Sequence, residues 1–547
     1  MPRSAQSRRS PAAAKPVSVF GAIDRLAADA DALAGAWAAR ARSTTTAGRE
    51  RATLRLFGVH GLDAAGRPLA SAAVERWRSG DPAAWAGGIA LPFAMALLEY
   101  DLGPQRLALD VASGAVDLAL EAELLRQPDR RDVAEAEVAR LADVAIERID
   151  ANRVARREIL SLLGEPTQPW IGTTVREPDV EGALDEAGAL IGAGMDLLRV
   201  EIPVGRELAD RMQDAGFEVA EWRPRSRLGR VDEPVEPAPT GSQRGLAALR
   251  RALDEAAAER RAYARLATAA PAFGAPEAAV VAAFERIDLN EGSPFDEIVS
   301  HGVDPDRALS DYAFAHRLHL RSGTLVSIGA GPLVVAPDLA RGIPSDAATR
   351  SGRALALQAL GVAFARHNGL AAETVVLGAL PPWVTEEPAP GTRAFAEVAV
   401  RRALFPDHPL AFDEPDGRAA DRLVWSAVVS TAQAFAGRTA ILMCRPSPEA
   451  ATTRRRARTG ALVAAELVAA SGALDLIGSS LEHGQAMVRS AVDTLDQIAG
   501  QGWRAVTGTS PLADQPLGLG RGSVIERGEQ FDPFASALGP WIVSRRP

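Results

Sequence analysis

The sequence predicts an α/β protein: a (β/α)8 barrel with helical segments added before and after it. Three observations carry that prediction. Between Gln168 and Arg445, eight short β-rich apolar runs alternate with amphipathic helical stretches. The connections between runs are long enough for a helical crossover, which parallel strands need and hairpins do not. Eight such units within about 280 residues suit a closed ring better than an open doubly wound sheet.

The elements follow in chain order. Residues 1–16 are basic and rich in Ser, Pro and Ala, and read as a disordered tail. Residues 17–164 carry apolar side chains at three- and four-residue spacing, for example Ile23, Leu26, Ala27 and Ala30, then Ala134, Val138, Leu141, Ala145 and Ile149. The barrel spans 165–445. Its strands are expected at Pro169–Thr173, Asp196–Ile202, Tyr263–Thr268, Arg286–Asn290, Thr324–Ile328, Thr374–Leu377, Leu410–Asp413 and Thr439–Cys444. Helices are expected between them at Val180–Ala193, Gln243–Arg260, Pro276–Phe284, Asp304–His319, Asp346–Ala365, Thr392–Arg402 and Asp421–Phe435. Glu221–Pro239, loaded with Arg, Pro and Glu, reads as an excursion after the second strand. Residues 446–547 turn helical again, including Gly460–Ile477, and end in a Gly- and Pro-rich segment from Trp503 that wraps the surface.

Composition excludes several function classes. The chain has 547 residues, of which 47% are hydrophobic, so it can bury a large core. A net charge of −9 offers no basic surface to nucleic acid or to an anionic membrane, and no apolar run is long enough to span a bilayer. The single cysteine, Cys444, rules out an intrachain disulfide and suits a reducing cytoplasm. Lys15 is the only lysine, so the barrel itself has no amine for a Schiff base with pyridoxal phosphate.

A barrel places its chemistry at the carboxyl ends of its strands. Those ends present Thr173 and Thr174, Gly205 and Arg206, Thr268, Asn290, Gly329 to Gly331, Asp413 and Glu414, and Cys444. No catalytic constellation stands out among them. Gly329-Ala330-Gly331 suits a turn, or a close backbone approach to a phosphate. Arg206 beside Gly205 suits a surface position, or a guanidinium pairing with phosphate. His301, in a loop after the fourth strand, is in place to contact a cofactor ring or to do nothing special. His316 and His319 share a helix face, and with no third ligand in sight they read as a solvated or core-edge pair rather than a metal site. Asp413 and Glu414 are adjacent and point to opposite sides of a strand. Arg454 to Arg458 reads as a solvated helix start, or a contact for a phosphate or partner chain.

The run TTAGRERATLRLFGVHGLD, Thr45 to Asp63, resembles the amino-terminal signature of the lysine 5,6-aminomutase alpha subunit family. Collinear matches follow at Gly205 with Leu208 and Asp210, Tyr263-Ala264-Arg265-Leu266, Pro276-Glu277, Glu285 to Asp288, Phe405-Pro406 with Pro409-Leu410, and Gly520 to Gly522 ahead of Pro533. The resemblance implies a barrel that holds pyridoxal phosphate at its mouth. It implies a separate cobalamin-binding beta subunit that carries adenosylcobalamin and donates the Schiff-base lysine. The implied reaction is a radical 1,2-amino shift on a small basic amino acid. On this reading the cofactor-binding candidates are Gly205, Arg206 and His301, and the chain is expected to bind neither metal, nucleic acid nor membrane.

Against the family pattern, Ile202 stands in place of a phosphate-gripping arginine, Glu207 and Pro271 in place of phosphate-binding serines, and Asp296 in place of the tyrosine stacked on the pyridine ring. His301 replaces an arginine, Gly329 to Gly331 fall on a ligand-binding Gly-Glu-Asp-Asn run, and Ala411 replaces a substrate-binding lysine. Two readings therefore stand side by side: an aminomutase barrel, or a catalytically degenerate relative acting as scaffold or regulatory partner of a cobalamin-binding protein. An unrelated small-molecule barrel enzyme is the third.

Overall fold

Eight strands close into one ring in the computed structural model, which describes residues 19–42, 44–63, 67–78, 87–177, 180–200, 243–269, 274–301, 303–329, 346–381, 390–413, 439–444, 474–503 and 524–526. Ahead of the ring come α1 (Val19–Arg42), β1 (Thr44–Thr46), α2 (Ala47–Leu56), α3 (Leu69–Arg78), α4 (Ala90–Tyr100), α5 (Pro104–Ser113), α6 (Leu118–Leu124) and the long α7 (Pro128–Leu163). The ring itself begins with β2 (Trp170–Thr174), α8 (Val180–Gly192), β3 (Leu197–Val200), α9 (Gln243–Arg260), β4 (Arg265–Ala269), α10 (Ala275–Phe284) and β5 (Leu289–Glu291). It continues with α11 (Pro294–His301), α12 (Pro305–Ser322), β6 (Leu325–Ile328), α13 (Ala347–His367), β7 (Val375–Gly378), α14 (Pro390–Leu404), β8 (Leu410–Asp413) and β9 (Thr439–Met443). Helix α15 (Leu474–Gln501) and strand β10 (Val524–Glu526) follow. The expected helix Asp421–Phe435, residues 460–473 of the expected helical run, and the Glu221–Pro239 excursion lie outside the described residues.

Every neighbouring pair in the ring is parallel, and β2 closes it against β9 with Trp170 opposite Ile441 and Gly172 opposite Met443. All eight expected strands are present in the expected order. Strand β5 is shorter than expected at its start. Glu285 and Arg286 turn out of helix α10 instead, with Arg286 at a φ of 54°.

Side-chain alternation sorts the strands into two layers. Trp170, Leu197, Ala267, Leu289, Val376, Ala411, Ile441 and Met443, with Leu325 against them, form a separate apolar cluster to which every strand contributes. This is the barrel interior. Ile171, Leu198, Val200, Leu266, Val326, Ile328, Leu377, Phe412 and Leu442 belong instead to the larger core shared with the helices. Gly172 faces inward, where an added Cβ would meet Met443 Sδ at 2.4 Å and Leu197 Cδ2 at 3.0 Å, so the missing side chain makes room for both.

The helices begin and end on local signals. Asp304 caps α12 by accepting from Asp306 and Arg307 amides, Pro305 fills its first turn, and Gly323 ends it at a φ of 70°. Asp346 caps α13 through the Thr349 amide at 2.9 Å. Helices α1 and α15 pack on α13, and α15 also covers α14. Strand β1 pairs antiparallel with β10, Thr44 opposite Glu526, joining residues from the two flanks of the ring.

The Thr45–Asp63 signature is a docking device. Thr45 donates to Glu50, whose other oxygen accepts from the Ile89 amide at 2.8 Å. Thr46 donates to Asp311 on α12, and Asp311 also holds Arg307 at 2.6 Å. Arg51 and Arg55 both reach Glu277 on α10 at 2.9 Å. Burial alone would raise the Glu277 carboxyl, but the two guanidinium groups outweigh it and hold it below the usual range. The motif thus fastens α2 to the outside of the ring.

Candidate active site at the barrel mouth

Two residues beyond the apolar interior on five of the eight strands, the inward side chains turn polar or charged. Leu197 is followed by Arg199, Leu289 by Glu291, Leu325 by Ser327, Ala411 by Asp413, and Gly172 by Thr174. Arg199 donates from Nε to Thr174 Oγ1 at 3.2 Å and from Nη1 to Glu291 Oε2 at 3.4 Å, and lies 3.9 Å from Asp413 Oδ1. Four strand ends therefore converge on one guanidinium. Arg199 and Glu291 are each 26% exposed and Asp413 65%, so each pair contributes no more than about 1 kcal/mol to folding. The value of such a group lies in what it can bind.

Several residues expected at the mouth face the other way. Thr173, Thr268, Asn290 and Cys444 are buried against the helices, because each sits one position out of step with the inward set. Thr268 bonds Asn290 at 3.2 Å and Asn290 bonds His319 Nε2 at 3.0 Å, tying β4 and β5 to α12. His316 and His319 are both buried, not solvated, and burial pushes both down to about 3. Among the described residues no group of three or more His, Cys, Asp or Glu is placed to hold a metal ion. His301 closes helix α11 rather than lying in a loop. Gly205, Arg206, Ala330, Gly331, Glu414 and Arg454–Arg458 lie outside the described residues, as do Ile202, Glu207 and Pro271.

Asp296, on the helix that leaves the mouth end of β5, is half-buried, and loss of hydration pushes its carboxyl up to about 7. Ala411 lies in the apolar interior. The described part of the mouth thus sets one guanidinium against two carboxylates. That set fits the ammonium and carboxylate groups of an amino acid. It does not fit the dianionic phosphate of pyridoxal phosphate, which Glu291 and Asp413 would repel.

Arg199 and Glu291 were not among the residues the sequence singled out. The signal was there: an arginine two positions after Leu197 within the apolar run Leu197-Leu198-Arg199-Val200 must share the inward face.

The opposite end of the ring is a stabilising layer. Asp288 accepts from Tyr263 Oη at 2.7 Å and pairs with Arg250 at 3.0 Å and Arg156 at 3.1 Å. Asp196 pairs with Arg260 at 2.8 Å. Arg265 lies 3.5 Å over the Trp170 ring. Tyr263, Arg265 and Asp288, which stood out as collinear motif residues, all sit at this amino-terminal end, away from the mouth.

A family model described as the D-lysine 5,6-aminomutase TIM-barrel domain of the alpha subunit matches residues 20–217 and 238–430. A lysine 5,6-aminomutase alpha subunit from Fusobacterium nucleatum is 26% identical over 381 residues, 69% of this chain and 66% of that protein. One from Acetoanaerobium sticklandii is 24% identical over 396 residues, 72% of this chain and 70% of that protein. A solved structure of Yersinia pestis DHPS with a pterine-sulfa conjugate matches 55% of this chain and 95% of its own at a TM-score of 0.31 and 12% identity, too distant to bear on function.

Proposed function

The chain belongs to the family of the D-lysine 5,6-aminomutase alpha-subunit TIM-barrel domain, and from that premise we propose that it is the barrel component of a cobalamin-dependent aminomutase-type isomerase. It receives a small basic amino acid at its mouth and works with a separate cobalamin-binding beta subunit. The observation that carries this reading is the convergence of Arg199, Glu291, Asp413 and Thr174 from four strands on the carboxyl side of the ring. Arg199 is suited to a substrate carboxylate, and Glu291 and Asp413 to ammonium groups. The chain's own part is to bind and orient the amino acid. With Lys15 its only lysine, the barrel itself offers no amine for a Schiff base.

A second reading has its own observation. The acidic mouth, with Ala411 in the apolar interior, favours a scaffold that keeps the barrel and the docked partner without the pyridoxal chemistry. One experiment separates them. The full chain is titrated with D- and L-lysine by calorimetry, and with pyridoxal phosphate by visible absorbance, each with and without a cobalamin-binding beta subunit. The isomerase reading expects lysine binding that weakens about tenfold or more in Arg199→Met, the loss of a charged hydrogen bond. A docked partner with no lysine binding and no shifted pyridoxal band establishes the scaffold instead.

A further inference from the structure

The rim of the barrel between β6 and β7 is held from outside by one buried amide. Gln358, on α13 and 1% exposed, donates from Nε2 to the carbonyl oxygens of Ile328 at 3.3 Å, Gly329 at 3.3 Å and Gly378 at 3.0 Å. These are the last peptide units of the two strands at the mouth. Its Oε1 accepts from Arg401 Nε at 2.9 Å. A guanidinium can only donate, so Arg401 decides which end of the amide faces the rim. Arg401 is itself paired with Glu397 one turn earlier on α14, both fully buried, and Glu397 lies 3.7 Å from His483 on α15. Burial would raise the Glu397 carboxyl, but Arg401, with His483 and Ser351, brings it below its usual range, so it stays a carboxylate.

A fully buried ion pair is a costly way to support a helix, and an apolar pair would often serve stability as well. What it does here is fix the orientation of a neutral amide at a functional rim. We propose that Gln358 is a positioning residue for the barrel mouth, oriented by Arg401 and linked through Glu397 and His483 to α15. It touches no ligand. It sets the direction of the last carbonyls of β6 and β7, next to the inward Ser327. The inference goes beyond the isomerase reading and holds for a scaffold equally.

The test needs no ligand, so it fails or succeeds apart from the lysine titration. The amide of Ala379 belongs to the same peptide unit as the Gly378 carbonyl and donates to Ala411 at 2.8 Å. The amide of Leu325, at the far end of β6, donates to Asp288 at 2.9 Å and serves as the control. Hydrogen exchange is measured at both in the full chain, in Gln358→Leu and in Gln358→Glu, from pH 8 to pH 5, after correction for intrinsic exchange. At pH 8 both variants are expected to speed Ala379 about tenfold relative to Leu325, about 1.4 kcal/mol of local opening. The carboxylate of Gln358→Glu, faced by Arg401 and Glu397 from α14 and His483 from α15, offers no donor until it is protonated. Its excess should therefore shrink toward pH 5, while that of Gln358→Leu stays constant. Equal acceleration at Leu325, no acceleration at Ala379, or identical pH profiles for the two variants would each overturn the proposal. Thermal unfolding of both variants is followed alongside. A variant that fails to fold is replaced by Gln358→Asn, which keeps a neutral amide but shortens its reach to the rim and should loosen Ala379 selectively.

Discussion

Two buried imidazoles on α12 make the protein acid-sensitive in a calculable way. His316 and His319 titrate near 3 in the folded chain, because burial disfavours the charged form, and near 6.5 once unfolded. Below about pH 6.5 the unfolded chain gains protons that the folded chain refuses, so stability falls as pH drops toward 3. Each group contributes roughly 2 kcal/mol of loss between pH 7 and pH 5. His319→Gln can keep a bond to Asn290 while removing one titration. Chemical denaturation should show that variant losing roughly 2 kcal/mol less than the parent over this interval, and equal losses would show that the imidazole is already protonated in the fold. The spacing of these residues in the sequence revealed a shared helix face but not which way the face points. That face points to the barrel: His319 meets Asn290, whose strand parity turns it toward α12 rather than the mouth, and His316 packs on Tyr312 and Phe364. A one-residue parity decides the same question for Thr173, Thr268 and Arg199, and it becomes readable only once the strand's first inward residue is known.

At the scale of elements, the signature around Thr45–Leu56 shows how a motif can identify a family without marking chemistry. Its arginines fasten α2 to α10 and α12, with Glu277 receiving both Arg51 and Arg55, while Glu50 ties Thr45 to the Ile89 amide. Glu277→Gln removes the buried carboxylate that Arg51 and Arg55 share, a loss of about 3–5 kcal/mol. The expected signature is a lowered melting temperature together with new protease cleavage ahead of β2, while lysine binding at the mouth survives in the folded fraction. Cleavage confined to the ring would contradict a docking role. Strands were legible because β-rich apolar runs and helical crossovers differ in period. The role of each charged residue within a helix was not, because partners such as Arg51 and Glu277 are brought together only by tertiary packing.

For the molecule as a whole, closure is the constraint. The ring has no edge at which to expand, so its interior volume is fixed by the side chains of all eight strands. Gly172→Val places carbon where Met443 and Leu197 already touch. The expected cost is about 1–3 kcal/mol or more, seen as a lower denaturant midpoint, and Gly172→Val combined with Met443→Ala should recover part of it. Independent, additive losses in the double variant would mean that the two positions do not share the space. Eight repeating units made this closed architecture visible in the sequence. The charged group at its mouth was half visible: Thr174 and Asp413 stood at expected strand ends, whereas Arg199 and Glu291 did not, and the four become neighbours only after β2, β3, β5 and β8 have joined one ring.

The pairing of Thr44–Thr46 with Val524–Glu526 also orders events during synthesis. Thr44–Thr46 precedes every strand of the ring and Val524–Glu526 follows them all, so β1 has no antiparallel mate until β10 has been synthesised. Until then its backbone polar groups must find partners in water or in neighbouring helices. The hairpin-free clasp between β1 and β10 therefore cannot be fastened until every strand of the ring has been translated.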